Sequence, residues 1–379
     1  MLLGRSTGGI GTHVAQLSAD LRERGVDVIV VTHPLTAEHF DLGPHRQCWP
    51  GSAGVVHVLA DLMALRRLAA TADIVHAHGN QAGLLGALAI CSGHGMPGVR
   101  PRPTPQGPKL IVSQHNAVLE GSGRQVLKKM LQCWVARHAD LVTGASSDLV
   151  NEARACGANR AELAEVPSPR VPQLLAQQPA DAAARAGIRQ SLLGSLGLDL
   201  GAPAAPVVLT ICRIAPQKNL PVLVQAAAQL RQACTWVVVG EGDPQLLAQL
   251  RAQVSALGAP VHFVGSSREV DTWLRGAEVF VLPSQWEARA LVVQEAMAAG
   301  TPVVVADVGG LHDLVLPAGL LVPPGDPVGL AKATDSILAD PGMREELAAH
   351  GREVAVALPD GSDTASRWLA WYSQTLLMT

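Results

Sequence analysis

The sequence predicts an α/β protein of two doubly wound domains, each a parallel sheet covered on both faces by helices. Three observations carry this. A chain of 379 residues exceeds what one hydrophobic core ordinarily holds. Short continuous apolar runs, such as Val207 to Ile211 and Val279 to Leu282, read as strands buried on both faces. Those runs alternate with amphipathic stretches of helical period, the pattern that builds parallel sheets.

The first three residues are the only candidates for an opening strand. A buried strand usually has about five or six residues, so the chain start is expected to lie inside that strand. Gly4 to Gly11 form a glycine-rich loop, after which Val14, Leu17 and Leu21 fall on one helical face until Gly25, and Val26 to Thr32 reads as a strand. The alternation continues with helix Val56 to Ala70, strand Asp73 to His76, helix Ala82 to Cys91 and strand Leu110 to Ser113. Ser92 to Pro108, rich in Gly and Pro, is expected to be a surface loop. A helix around Gln125 to Arg137 and a strand at Leu141 to Thr143 complete the first sheet.

From Pro167 to Pro206 proline and alanine dominate, with one helical piece at about Ala182 to Leu196, and this is read as the linker region. A second sheet follows, with strands Val207 to Ile211, Trp236 to Val239, His262 to Val264, Val279 to Leu282, Pro302 to Ala306 and Leu320 to Val322. Helices Leu220 to Gln232, Pro244 to Leu257, Arg268 to Gly276 and Leu291 to Ala299 separate them. Helices at Pro327 to Ala339, Arg344 to Val356 and Ser362 to Leu377 close the chain. The expected domains are residues 1–175 and 176–360, with a C-terminal helix at 361–379 able to pack back on the first.

Composition narrows the function classes. No apolar run approaches the roughly 20 residues that span a bilayer, and no basic stretch with an apolar signal core opens the chain, so a cytoplasmic protein is expected. Six cysteines, Cys48, Cys91, Cys133, Cys156, Cys212 and Cys234, are far apart with no Cys-x-x-Cys pair, and are read as reduced thiols. Split near residue 175, the first part carries 16 Lys and Arg against 13 Asp and Glu, the second 13 against 19. This asymmetry is too weak for nucleic-acid binding but makes the first domain the one expected to meet an anionic surface or acceptor. Arg124, Lys128, Lys129 and Arg137 stand beside Val126, Leu127, Leu131 and Trp134, which permits a peripheral contact with anionic lipid. A solvated basic helix is the plainer reading of the same pattern.

Three stretches suit an anion. In Pro283 to Gly300, Glu287 and Glu295 sit where a buried strand passes into a helix, at the sheet edge where open α/β sheets bind ligands. Glu287 is expected in the loop and Glu295 about one turn inside the helix. Arg213 to Lys218 directly follow the first strand of the second sheet, where Arg213 can fork two phosphate oxygens and Lys218 can supply a point charge. Gly8 to Gly11 let a backbone approach a phosphate, although a plain tight turn explains them as well.

These residues carry a resemblance. RIAPQKN at 213–219, GEGD at 240–243, HFVGSSREV at 262–270, the two-glutamate stretch, GTPVVVADVGG at 300–310 and GLLVPPGDP at 319–327 resemble the group 1 glycosyltransferases of family four. In the first half GGIGTHV at 8–14, DIVHAHG at 73–79 and QHNA at 114–117 are similar to the same family. The resemblance implies the GT-B fold, two Rossmann-like domains facing across a cleft, with a UDP- or GDP-sugar as donor and a sugar, lipid-linked or small-molecule acceptor. Carried over by position, Arg213 and Lys218 neutralise the departing diphosphate and Gly9 approaches it. Glu295 takes the ribose hydroxyls, Glu287 the sugar hydroxyls, and His115 lies beside the donor sugar. Val264, Ala290 and Leu291 fall among the donor-binding positions. Neither a metal nor another cofactor is expected, and anomeric configuration is expected to be retained.

Two departures stand out. Ala288-Arg289-Ala290 replaces the family's Gly-Phe-Gly, which puts activity or donor choice in question, and Glu165 to Pro169 replaces an Asn-Gly-Val-Asp, read as a hinge variation. Two other functions therefore compete with transfer: a catalytically weakened nucleotide-sugar-binding protein and a nucleotide-sugar epimerase.

Overall fold

The structure is a computed structural model, and it describes residues 1–6, 8–50, 55–91, 107–116, 123–195 and 205–378. Residues 92–106 of the expected surface loop, residues 196–204 of the linker, Ala117, and the side chains of Val55, Val56, Cys91, Arg124, Gln125 and Ser195 lie outside this description. The chain forms two units. The first comprises Met1–Pro167 with Pro359–Thr379, and the second Ser168–Leu358.

The first unit begins with β1 (Leu2–Leu3), α1 (Gly9–Glu23), β2 (Val30–Thr32), α2 (Pro34–Ala37), β3 (His45–Arg46) and α3 (Val55–Ala69). It continues with β4 (Ile74–His78), α4 (Asn80–Cys91), β5 (Lys109–Gln114), α5 (Gly123–His138), β6 (Leu141–Gly144), α6 (Ser147–Ala155) and β7 (Ala161–Leu163). The second unit holds α7 (Val171–Leu175), α8 (Ala182–Ser195), β8 (Val207–Ile211), α9 (Leu220–Ala227), β9 (Thr235–Val239), α10 (Pro244–Leu257) and β10 (Val261–Gly265). After these come α11 (Val270–Gly276), β11 (Val279–Leu282), α12 (Leu291–Ala298), β12 (Val303–Ala306), α13 (Leu311–Val315), β13 (Leu320–Val322), α14 (Pro327–Ala339) and α15 (Pro341–Ala357). The last helix, α16 (Gly361–Leu377), belongs to the first unit and packs on α1.

Both sheets are parallel, in orders β3-β2-β1-β4-β5-β6-β7 and β10-β9-β8-β11-β12-β13. Strand alternation sorts the first sheet into two apolar layers. Val75 and Ala77 of β4 and Leu110 and Val112 of β5 enter one layer, while Ile74 and Ile111 enter the other with α1 and α16. In the second unit β8, β9, β11 and β12 are buried along nearly their whole length, which is why they read as unbroken apolar runs.

The structure departs from expectation in places that polar or very short segments explain. β3 and β7 are edge strands of two and three residues, too brief to show a periodic signal. The β2 ladder covers only Val30–Thr32. The second unit starts at Ser168 rather than 176, because Val171 and Leu174 of α7 pack into its core. Reading all six cysteines as thiols is corrected as well: Cys133 of α5 and Cys156 at the end of α6 form a disulfide. They are 23 residues apart, and the fold brings them together by setting both on the apolar layer beside β6. Cys48, Cys212 and Cys234 are free, and burial pushes Cys212 and Cys234 up to about 12.

Candidate active site

An open parallel sheet binds ligands where its strand order reverses, because neighbouring loops there diverge to opposite faces. In the second sheet that point lies between β8 and β11. The loops leaving these two strands carry Arg213 to Lys218 and Gln285 to Ala290, so topology brings together two stretches 69 residues apart in sequence. Gln285 N–H donates to the Gln217 carbonyl at 2.8 Å, and Gln217 Nε2 donates to the Trp286 carbonyl at 2.7 Å.

Glu287 is the centre of this junction. Lys218 Nζ donates to its Oε1, as does Ser284 Oγ at 2.7 Å, and Ser284 is fully buried. With both donors on Oε1, Oε2 keeps acceptor capacity for a ligand hydroxyl, and an ammonium with three N–H groups keeps donors beyond Glu287. Gly310 N–H donates to the Glu287 carbonyl at 2.9 Å. Gly309 makes the approach possible: its φ is +51°, and a Cβ there would stand 2.1 Å from that carbonyl oxygen.

Glu295 lies in α12 about one turn from its start and is mostly buried. Burial raises its pKa, while a 2.6 Å bond from Ser168 Oγ and the charge of Arg170 oppose that rise. Ser168 N–H also donates to Gln294 Oε1 at 3.1 Å, and Gln294 Nε2 donates to the Arg289 carbonyl at 3.1 Å. The segment read as a plain hinge variation thus supplies the hydroxyl that holds Glu295. Sequence reasoning missed Ser168 because only the fold shows that position 168 abuts position 295.

None of the residues 288–290 adopts a positive φ. Ala290 caps α12, which leaves the first amides of that helix, at Leu291 and beyond, oriented as anion donors. Arg213 is exposed on the loop after β8. Beside it, Ile214 N–H bonds the Glu241 carbonyl at 2.9 Å and Gly240 N–H the Gly265 carbonyl at 2.7 Å, lacing together the ends of β8, β9 and β10. Glycine is needed at 240 and 242, where a Cβ would stand 1.9 Å from Cys212 O and 2.1 Å from Ile214 O. Val264, one residue before the end of β10, therefore lies next to this laced edge.

In the first sheet the order reverses between β1 and β4. The Gly8 to Gly11 turn follows β1, with exposed Gly9 opening α1. Gly11 serves packing: a Cβ there would stand 2.2 Å from the Phe40 ring. His115 follows β5 and is buried with three further histidines. His78 Nδ1 and His115 Nε2 are 3.2 Å apart, and His13 lies 5.9 and 5.7 Å from their rings. His76 bonds Tyr372 OH and Ser113 Oγ, each at 2.7 Å. Burial depresses all four, His13 to about 4 and His115 to about 3, so the cluster is neutral. His13, His76 and His78 were not singled out from sequence, although His-x-His in an apolar strand places two polar groups on one buried face.

Residues 205–340 match the family description "Glycosyl transferases group 1", and residues 7–169 match "Glycosyltransferase Family 4". A D-inositol 3-phosphate glycosyltransferase of Xylanimonas cellulosilytica is 30% identical over 396 residues, covering 96% of this chain and 88% of that protein. The chain belongs to the group 1 glycosyltransferases. An alpha-maltose-1-phosphate synthase of Mycolicibacterium smegmatis is 29% identical to this glycosyltransferase, over 91% of the chain and 90% of the relative. Among solved structures, Anabaena Alr3699/HepE in complex with UDP and glucose shares the GT-B fold at TM-score 0.79 and 19% identity, over 98% and 99% of the two chains. Sucrose-phosphate synthase from Thermosynechococcus elongatus matches at TM-score 0.78 and 26% identity, over 98% and 94%. The enzyme is a glycosyltransferase. No helix among its described residues is long and apolar enough to cross a membrane.

Proposed function

We propose that this glycosyltransferase moves a hexose from a UDP- or GDP-sugar to a hydroxyl of a sugar, lipid-linked or small-molecule acceptor, with retention of anomeric configuration. The convergence of Lys218 and Ser284 on Glu287 carries this reading, because it sets a cation and a carboxylate side by side at the reversal point of the second sheet. Lys218 and Arg213 meet the negative charge that grows on the terminal phosphate as the anomeric C–O bond breaks. Glu287 accepts hydrogen bonds from the sugar hydroxyls and Glu295 from the ribose. Val264, Ala290 and Leu291 complete the donor contacts of the second unit, and the family resemblance assigns Gly9 to the diphosphate and His115 to the donor sugar. The acceptor hydroxyl proton passes to the departing phosphate, so no separate base enters the scheme, and Arg213 and Lys218 supply the positive charge that the leaving diphosphate needs. The relatives' acceptors, an inositol phosphate by name among them, favour a small phosphorylated polyol as the first acceptor to try.

A panel of UDP- and GDP-sugars tests the donor. The true donor at a hundred times its Kd adds roughly 2.7 kcal/mol to stability, and a panel without any stabilising member would overturn the reading. Acceptor-independent conversion of the donor would select an epimerase instead.

A peripheral contact with anionic lipid belongs to the same proposal. Val126, Leu127 and Met130 of α5 are more than half exposed beside Lys128, an arrangement suited to a lipid headgroup region. Lys129 is engaged by Glu152 and is not available for it. Co-sedimentation with phosphatidylglycerol vesicles, abolished by Leu127→Glu and Met130→Glu, is the expected result; no co-sedimentation of the wild type would refute it.

A further inference from the structure

The histidine cluster of the first unit has more order than desolvated packing requires. His76 and His78 are two apart on β4, and Ser113 and His115 are two apart at the end of β5, so strand alternation turns all four to one face. Parallel pairing sets His78 opposite Ser113. A second row backs them from α16, where Tyr372 OH lies 2.7 Å from His76 Nδ1 and the Trp368 ring 4.3 Å from that of His76. The His76 and His78 rings are 4.1 Å apart.

The proton positions follow from what each nitrogen can find. A neutral imidazole has one N–H and one bare nitrogen. His76 has partners on both, with Tyr372 OH on one side and Ser113 Oγ, itself 2.8 Å from Thr143 Oγ1, on the other. His78 is different, because its Nε2 is buried without a hydrogen-bond partner among the described residues. Were that nitrogen protonated, an N–H would be orphaned in the interior, which costs more than an unused lone pair. The proton of His78 therefore belongs on Nδ1, from which it is donated across 3.2 Å to His115 Nε2. The ring centroids are 5.4 Å apart with the planes 15° from parallel, so with a 3.2 Å N···N separation the rings meet edge to edge, as a bond to a ring lone pair requires. His115 must then carry its own proton on Nδ1.

We propose that His78 is a positioning residue that fixes His115 in the Nδ1–H tautomer, making His115 a hydrogen-bond donor through Nδ1 toward the donor sugar. The proposal rests on the placement of His115 beside that sugar. A His115 free to exchange tautomers would present a lone pair part of the time, and a sugar oxygen would lose its donor.

The test combines 15N spectra of histidine-labelled protein with kinetics of donor turnover. Wild-type His115 is expected to show a pyrrole-type Nδ1 and a pyridine-type Nε2. The opposite pattern overturns the proposal whatever the variants do. His78→Leu is expected to lose that pattern and to lower kcat about tenfold to a hundredfold with little change in KM. His78→Asn, whose amide N–H can replace the lost donor, is expected to recover most of kcat and the Nδ1–H pattern. If His78→Leu proves unstable on thermal melting, the wild-type spectrum and the Asn variant decide. A His78→Leu enzyme with unchanged spectrum and kcat, beside an inactive His115→Ala, would sink this inference alone. An unimpaired His115→Ala would instead remove the catalytic placement of His115.

Discussion

Lys218, in the turn after β8, and Glu287, in the loop after β11, form an ion pair that Ser284 completes from below with a buried hydroxyl. Both side chains are mostly buried, so each depends on the other for compensation of its charge. Lys218→Ala and Glu287→Ala are each expected to lower kcat/KM by about a hundredfold to a thousandfold, the range for losing one preorganised charge. Their double variant is expected to fall well short of the product of the two effects. Steady-state kinetics of the cycle checks this; strict multiplicativity would show that the pair does not act as a unit. Rates equal to wild type in Glu287→Ala would remove the proposed role of this site.

Ser168→Ala removes the 2.6 Å bond that holds Glu295. A lost hydrogen bond to a buried carboxylate costs about 1.5–3 kcal/mol. The expected result is a KM for the nucleotide-sugar raised roughly tenfold with kcat nearly unchanged, since the ribose contact is made alike in ground and transition states. A fall in kcat at constant KM would contradict it.

Gly309→Ala is expected to abolish the loop geometry around Glu287, because the new Cβ meets both the Glu287 carbonyl and the Trp286 indole nitrogen at a φ of +51°. A positive φ alone costs an alanine about 1–2 kcal/mol. The melting temperature and activity are expected to drop together; full retention of both would show that the loop relaxes freely.

Stability is expected to fall in acid through the histidine cluster. Burial puts the folded pKa of His13 at about 4 and that of His115 at about 3, both below the ordinary 6.5. The unfolded chain therefore binds more protons as pH drops below 6.5, and stability is lost from there until the folded pKa values are reached. Each histidine contributes a slope of at most about 1.4 kcal/mol per pH unit. Glu295, whose pKa is raised, acts in the opposite sense near 4.5 and offsets a part. Urea midpoints at pH 7 and pH 5 measure the effect, and equal midpoints would contradict a buried neutral cluster.

Turnover is expected to survive EDTA, since the proposed charge stabilisation comes from Arg213, Lys218 and the amides that open α12. Loss of activity with EDTA and its return with Mg²⁺ or Mn²⁺ would show that a divalent ion shares the phosphate.

The sequence by itself determined the two-sheet α/β architecture and the second sheet's six strands, but not the short edge strands β3 and β7 of the first. β8, β11 and β13 and helices α10 and α14 have the limits expected from apolar runs and caps, because short apolar strands and Asp-Pro helix starts are local signals. Glu287 and Lys218 were singled out from their places after strands, and His115 from the family resemblance. Tertiary structure decided what those residues do to one another. The bonds from Lys218 to Glu287 and from Ser168 to Glu295, the four-histidine layer against Tyr372, and the Cys133–Cys156 bridge each join groups far apart in sequence. Local propensity fixes the period of a strand or helix, whereas the partner of a polar atom depends on strand order and on which loops the reversal of a sheet sets side by side.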